Sequence, residues 1–312
     1  MEVRQLLRRY EAGDRAFAGV DLQGADLSGI TLIEVNLTGA NLTGADLSRA
    51  FLSKSNLSGA ALNWANLKYT KLNEGNLQDA DLTKANLSGA FMVKADLTKS
   101  KLSGATLSNV NLRGASLQQA NLCGAKMQGI NLRSANLAGA NLNWANLQGA
   151  RLSGATLQGA VLNGVNLAEA FLNGVDLQGV DLNGVNFEAA RLSGTNLQAA
   201  NLMGANFRGA ILRGANLTAA DLTGADLTQA FLSGASLTWS NLRLAHLNQT
   251  DLRNAELEGV RIDQTELTGA LLPDVLRQSL CFALVGEAEW IWQTRRALGC
   301  AITTPVPAAS RL

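Results

Sequence analysis

The chain has 312 residues, 47% hydrophobic and 16% charged, with 26 basic against 25 acidic side chains. That balance excludes a role for the chain as a whole as a polyanion or a polycation. Three cysteines (Cys123, Cys281 and Cys300) without a C-x-x-C spacing argue against a disulfide framework and a zinc site. The opening residues MEVRQLLRRYEAG lack the apolar run of a secretory leader, and no segment is long and apolar enough to span a bilayer. A reducing, cytoplasmic setting is the expected one.

The first element in chain order is a helix. Glu2 to Ala12 carries Val3, Leu6, Leu7 and Tyr10 at i, i+3, i+4, i+7, one apolar face of a helix. Gly13 is a suitable stop. Residues 1–13 are expected to form a helical cap on the repeats beyond them.

From Phe17 to Leu272 a different period takes over. Stepping by five from Phe17 gives 52 consecutive positions that are all Leu, Met, Phe or Ile. From Val20 to Ala270 the residue two before each centre is Ala, Val, Ile, Thr, Ser or, once, Gly75, and never a charge. Five residues of α-helix advance about 500°, so the leucines would wind round the surface and share no face. In a strand an odd spacing would send successive leucines to opposite sides. The pattern works if every unit contains a bend that turns the next leucine inward again, so that the chain coils and each unit forms one side. Glycine is frequent two residues after the centre, as at Gly39, Gly44 and Gly59, where a bend needs a relaxed φ. No proline occurs before Pro273, which suits a backbone that uses its N–H groups.

Outward aromatics count the sides. Phe51, Phe91, Phe171 and Phe231 each precede a centre, and every interval between them is a whole multiple of four units. LNWANL also recurs at Leu62 and Leu142. Four sides to a turn follow, hence about 13 coils. The motif A-(N/D)-L-x-x, as in ANLTG at Ala40 and ADLTG at Ala220, resembles the pentapeptide repeat proteins over about residues 16–272. That resemblance implies an all-β solenoid, a right-handed quadrilateral β-helix with the centre and centre-minus-two side chains inside. At roughly 4.8 Å per coil the rod would be about 60 Å long. Residues 14–272 are expected to be one such β-helix.

Pro273 breaks the repeat. Residues 273–312 read as a helical or disordered segment, with one or two short helices around Gly286, Asp274 as an N-cap, and a tail containing Pro305 and Pro307.

Catalytic chemistry is thin in this sequence. His246, the single histidine, precedes Leu247 on an outward position, so no Ser-His-Asp set assembles beyond it. The many SGA and NGV glycines recur with the bend and do not lead from a strand into a helix, unlike phosphate loops. Cys123 follows a centre and faces outward. No catalytic, cofactor or metal site and no small-molecule substrate is expected.

Outward charges are unevenly sorted. The four-residue blocks starting at 31, 51, 71 and on to 251 carry nine cations against the acids Glu34, Glu74 and Asp251. The cations are Lys54, Lys71, Lys94, Arg113, Arg133, Arg151, Arg191, Arg213 and Arg253, and the same side holds Ile211 and all four outward phenylalanines. The next side, blocks starting at 36, carries Lys99 against Asp79, Asp96, Asp176, Glu256 and Glu258. The aromatic–basic side is the candidate partner face: Phe51, Lys54, Phe91, Lys94, Arg113, Arg133, Arg151, Phe171, Arg191, Arg213, Phe231 and Arg253. Trp64 and Trp144, on another side, are either a second patch or turn residues packing on neighbours. The function expected is a non-enzymatic scaffold that binds a protein partner, and family members include regulators of cell differentiation in cyanobacteria. The alternatives are a DNA mimic that binds a type II topoisomerase, as quinolone-resistance members of the family do, and a nucleic-acid-binding surface. Mimicry is disfavoured by the near-neutral charge, and nucleic acid by the offsetting charge of the other sides.

Overall fold

The five-residue period becomes one side of a square coil. In the computed structural model, which describes residues 1–273 and Arg296, the residue before the centre forms a parallel β-bridge with its counterpart four units on at all but two positions, from Ala16–Asn36 to Asp251–Leu271. Most units repeat the same backbone bonds. At Leu57 these are Leu57 N–H to Asn76 O (2.7 Å), Gly59 N–H to Gln78 O (2.8 Å) and Asn56 N–H to Val35 O (2.9 Å). A fourth bond, Ala60 N–H to Leu57 O at 3.1 Å, closes a turn inside the unit. Its third residue has φ near +60°, the pattern of a type II turn. Glycine supplies that conformation most often, but Trp64, Ala189, Ala219 and other L-residues adopt it as well.

The core is a stack of leucines. From Leu27 to Leu152 every centre is at most 1% exposed, and the residue two before it is buried from Val35 to Ala155. At about 25 cal/mol per Å² of apolar surface, no single unit offsets the backbone entropy of ordering five residues, so stability comes from coil stacked on coil. Phe187 and Phe207 occupy adjacent centres on one side and stack with ring centroids 4.8 Å apart. Where an inward Ala is replaced by Ser or Thr, the hydroxyl finds a carbonyl: Thr70 Oγ1 donates to Leu47 O at 2.7 Å and Thr250 Oγ1 to Leu227 O at 2.7 Å. The Ser240 hydroxyl is buried without such a partner.

The frequent Asn or Asp before each centre has a local cause. Its side-chain oxygen accepts the N–H two residues on, as in Thr38 N–H to Asn36 Oδ1 (3.0 Å), an Asx turn repeated down the rod. Amides also bond between coils: Asn166 to Asn146 at 3.3 Å, Asn186 to Asn166 at 3.2 Å and Asn206 to Asn186 at 3.0 Å.

One helix, α1 (Val3–Glu11), precedes the coils. Leu6 is buried in the common core, with Val3 and Tyr10 half-buried against it. Gly13 leaves the helix at φ +94°. The Tyr10 hydroxyl accepts Ile33 N–H at 3.2 Å, and the Arg15 guanidinium lies 4.0 Å over the Tyr10 ring. The short helices expected around Gly286 and the N-cap expected at Asp274 lie outside the described residues.

The ladder parts once among the described residues. The bridges 156–176 and 161–181 are missing, and so are the bonds that Leu157, Gly159, Leu162 and Gly164 N–H would send to the next coil. The neighbouring bond, Asn186 N–H to Val165 O, is stretched to 3.5 Å. A cleft of about 670 Å³ lies there between the coils. The inward positions of the second coil are Val175, Val180 and Val185, facing Ala155, Ala160 and Val165 in the first. The backbone separates on these two sides while Leu157 and Leu162 stay buried.

Candidate partner-binding face

The residue before the centre is where the sides differ. On three sides that column is mostly Asn, Asp, Ser or Thr. On the fourth it runs Thr31, Phe51, Lys71, Phe91, Asn111, Asn131, Arg151, Phe171, Arg191, Ile211, Phe231, Asp251, Leu271, each bridged to the next without interruption. A Phe, Arg, Lys or Ile there cannot make the Asx turn. The N–H groups of Val93 and Ser193 instead take Asn73 Oδ1 (3.0 Å) and Asn173 Oδ1 (3.2 Å) from the preceding coil. This column therefore departs from what the coil prefers locally, and such departures concentrate at functional positions.

The twelve residues picked out by sequence all stand on this side, but they are not equivalent. Phe51, Phe91 and Phe231 are exposed, Phe91 most at 46%. Phe171 is half-buried because the Arg191 guanidinium lies 4.8 Å above its ring. Arg213 covers Phe231 at 5.8 Å, and Lys71 sits 4.4 Å over Phe51. Two of the cations are neutralised on the spot. Lys54 reaches Glu34 at 3.6 Å, and Arg253 holds Asp251 with two bonds of 2.9 Å. Asp251, counted as outward in the sequence, is only 8% exposed, and the hydrogen bond from Arg253 holds its carboxyl below the ordinary range. Lys94, Arg113, Arg133, Arg151, Arg191 and Arg213 are exposed and have no carboxylate within ion-pair distance among the described residues. No acid stands on this side between Glu74 and Asp251. The charge asymmetry thus narrows to the middle of the rod.

The exposed tryptophans divide differently. Trp144 is 71% exposed, yet its indole lies flat over Gly164 one coil on, where an added Cβ would stand 2.3 Å from Cε3. Trp239 covers Gly259 and Tyr69 covers Gly89 in the same way. Trp64 instead carries Lys84 Nζ 4.5 Å over its ring. Sequence reasoning singles out neither Tyr69 nor Trp239, although an aromatic at the bend with glycine at the same bend one coil later signals the arrangement. His246 bonds the Glu266 carboxylate at 2.9 Å, which lowers the Glu266 pKa. Cys123 is half-exposed, and no group of metal-ligating side chains occurs among the described residues. No helix among them is long and apolar enough to cross a membrane.

The sequence profile of the family described as "Pentapeptide repeats" matches residues 21–198 and 200–269 in overlapping copies. The chain belongs to the pentapeptide repeat family. Members fold as right-handed quadrilateral β-helices, and the parallel ladder between every fourth unit is that architecture. Among solved pentapeptide repeat structures, HetL from the cyanobacterium Nostoc sp. strain PCC 7120, involved in heterocyst differentiation regulation, is 33% identical. The match covers 88% of this chain and 98% of HetL, with TM-score 0.39. Rfr23 from the cyanobacterium Cyanothece 51142 is 26% identical over 52% of this chain and 92% of its own, with TM-score 0.15. QnrB1, a plasmid-mediated fluoroquinolone resistance protein, is 22% identical over 66% and 88%, with TM-score 0.34. No curated protein matches the sequence.

Proposed function

We propose that this pentapeptide repeat protein is a non-enzymatic scaffold of the cytoplasm that binds a protein partner along the aromatic–basic side of its rod. In this reading residues 14–272 form one β-helix of 13 coils, and α1 covers its N-terminal edge. Small-molecule turnover has no place in it. The observation that carries the reading is the one column that gives up the Asx turn for phenylalanine and arginine, with seven exposed cations (Lys71 among them) free of carboxylate partners around it among the described residues. Hot spots of protein interfaces favour aromatic and arginine anchors of this kind. The role is read as regulatory, since a rigid face without chemistry of its own acts only through what it holds. A DNA mimic needs a file of negative charge, and this side carries the opposite sign.

The test is affinity capture from the native host with the wild-type chain as bait. Arg133→Glu with Phe171→Ser should lose the captured partner and keep the wild-type melting curve, because both side chains point outward. Asn141→Ser on the opposite side should keep the partner. Identical capture by both variants would refute the reading.

A further inference from the structure

The middle of the aromatic–basic side has a repeat and a width that together suit one kind of partner. Lys94, Arg113, Arg133 and Arg151 lie on four successive coils, so their charges rise by roughly 4.8 Å per step along the rod. Phe91 and Phe171 bracket them, four coils or roughly 19 Å apart. One side of the coil is a bridge residue and its centre followed by a two-residue turn, on the order of 10 Å wide. Between Lys94 and Arg113 the surface dips into a hollow of about 210 Å³, lined by Val93, Lys94, Arg113, Gly114 and Ser134. The dip exists because Gly114 has no side chain and Ser134 a short one, where Lys54, Glu74 and Lys94 fill the same column in earlier coils.

An α-helix advances about 5.4 Å per turn and is about 10–12 Å across. Laid along the rod, it would present one turn to each coil, and the mismatch of about 0.6 Å per turn is within the reach of flexible Lys and Arg side chains. An extended strand repeats on one face about every 6.7 Å and falls out of step within two coils. Phosphates of a stacked nucleic-acid strand rise about 3.4 Å each, out of step in the other sense. The seven cations without ion pairs among the described residues call for carboxylates.

We infer that the side from Phe91 to Phe171 is a docking strip for an acidic amphipathic helix of a partner protein. The helix lies along the rod axis, with carboxylates on Lys94, Arg113, Arg133 and Arg151, one of them seated in the hollow beside Gly114. An apolar residue near each end, about 13 positions apart at 1.5 Å rise, packs on Phe91 and Phe171. The inference rests on the partner-face reading above and adds the class of partner.

The probe is a labelled synthetic helical peptide with glutamates at i, i+4, i+7 and i+11 and leucines at the two ends of the same face. Its binding to the full chain is read by fluorescence anisotropy at low salt. Two other ligands accompany it: a peptide of identical composition with the glutamates distributed around the helix, and an oligothymidylate of equal length. The facial peptide should bind about tenfold or more tighter than either. Arg113→Glu with Arg133→Glu should weaken it by about tenfold or more, whereas Lys101→Glu with Lys126→Glu, on two other sides, should change it less than about twofold. Melting curves establish that the variants are folded. If the glutamate pair melts early, Arg113→Ala with Arg133→Ala carries the same comparison. Equal binding of the two peptides, tighter binding of the oligothymidylate, equal loss in the two charge-reversed pairs, or no peptide binding would each overturn the inference. Peptide failure alongside loss of the captured partner in Arg133→Glu/Phe171→Ser removes the helical partner class and leaves the partner face standing. Peptide failure with capture unchanged removes both.

Discussion

Substituting Gly164 by alanine separates the two costs of placing a side chain at the bend. Gly164 and Gly174 have nearly the same φ, +63° and +67°. Around Gly174 an added Cβ meets nothing within 4 Å. Its replacement by Ala therefore costs the left-handed conformation, about 1–2 kcal/mol, less the about 0.4–1 kcal/mol by which Ala restricts the unfolded chain. The net is a loss of up to about 1.6 kcal/mol. At Gly164 the same Cβ would lie 2.3 Å from Trp144 Cε3 and 2.4 Å from Cζ3. The indole is 71% exposed and can swing away, so the added cost is its packing on the glycine, about 1 kcal/mol. Urea unfolding followed by circular dichroism should place Gly164→Ala about 1 kcal/mol below Gly174→Ala, and Trp144 emission should shift to the red in that variant alone. In the Trp144→Ala background the two alanine substitutions should cost the same, since the clash is gone. Equal costs in the wild-type background, or a difference that survives Trp144→Ala, would refute the stacking argument.

Leu147→Asp buries a carboxylate where coils stack and should lower stability by several kcal/mol, more than any outward substitution, as measured by thermal melting; an unchanged melting temperature would contradict the inward assignment. Asp251 has its pKa lowered by Arg253, so its contribution is present above the ordinary carboxylate value of 3.8 and is lost as the pH falls through the lower folded value; Asp251→Asn should destabilise at pH 7 and converge with wild type in strong acid. Hydrogen exchange should find the Leu157, Gly159, Leu162 and Gly164 amides faster than those of Leu137, Gly139, Leu142 and Trp144 one coil earlier, and equal protection would deny the parted ladder. Removing residues 1–13 uncovers the site of Leu6 on the first coil and should produce association in light scattering while the far coils keep their circular dichroism.

The sequence alone determined the coil. A leucine every five residues, a small residue two before it and a flexible bend two after it admit one packing solution, because each unit contacts only its like above and below and the inward direction must be restored every time. The four-unit turn was legible for the same reason, from phenylalanines spaced by its multiples. The sorting of charge by side came directly from that count. Tertiary structure decided what adjacent coils do to each other's side chains. The pairing of Lys54 with Glu34 and of Arg253 with Asp251 depends on reach across the bend and between coils, which a tally of charges by side does not contain. The capping of Gly164 by Trp144 and the parting of the ladder beside Val175 and Val180 likewise arise between residues a full turn apart, where one coil's side chains meet the next coil's backbone. A period defines where every residue points. Only stacking defines which of the outward residues remain free to meet something else.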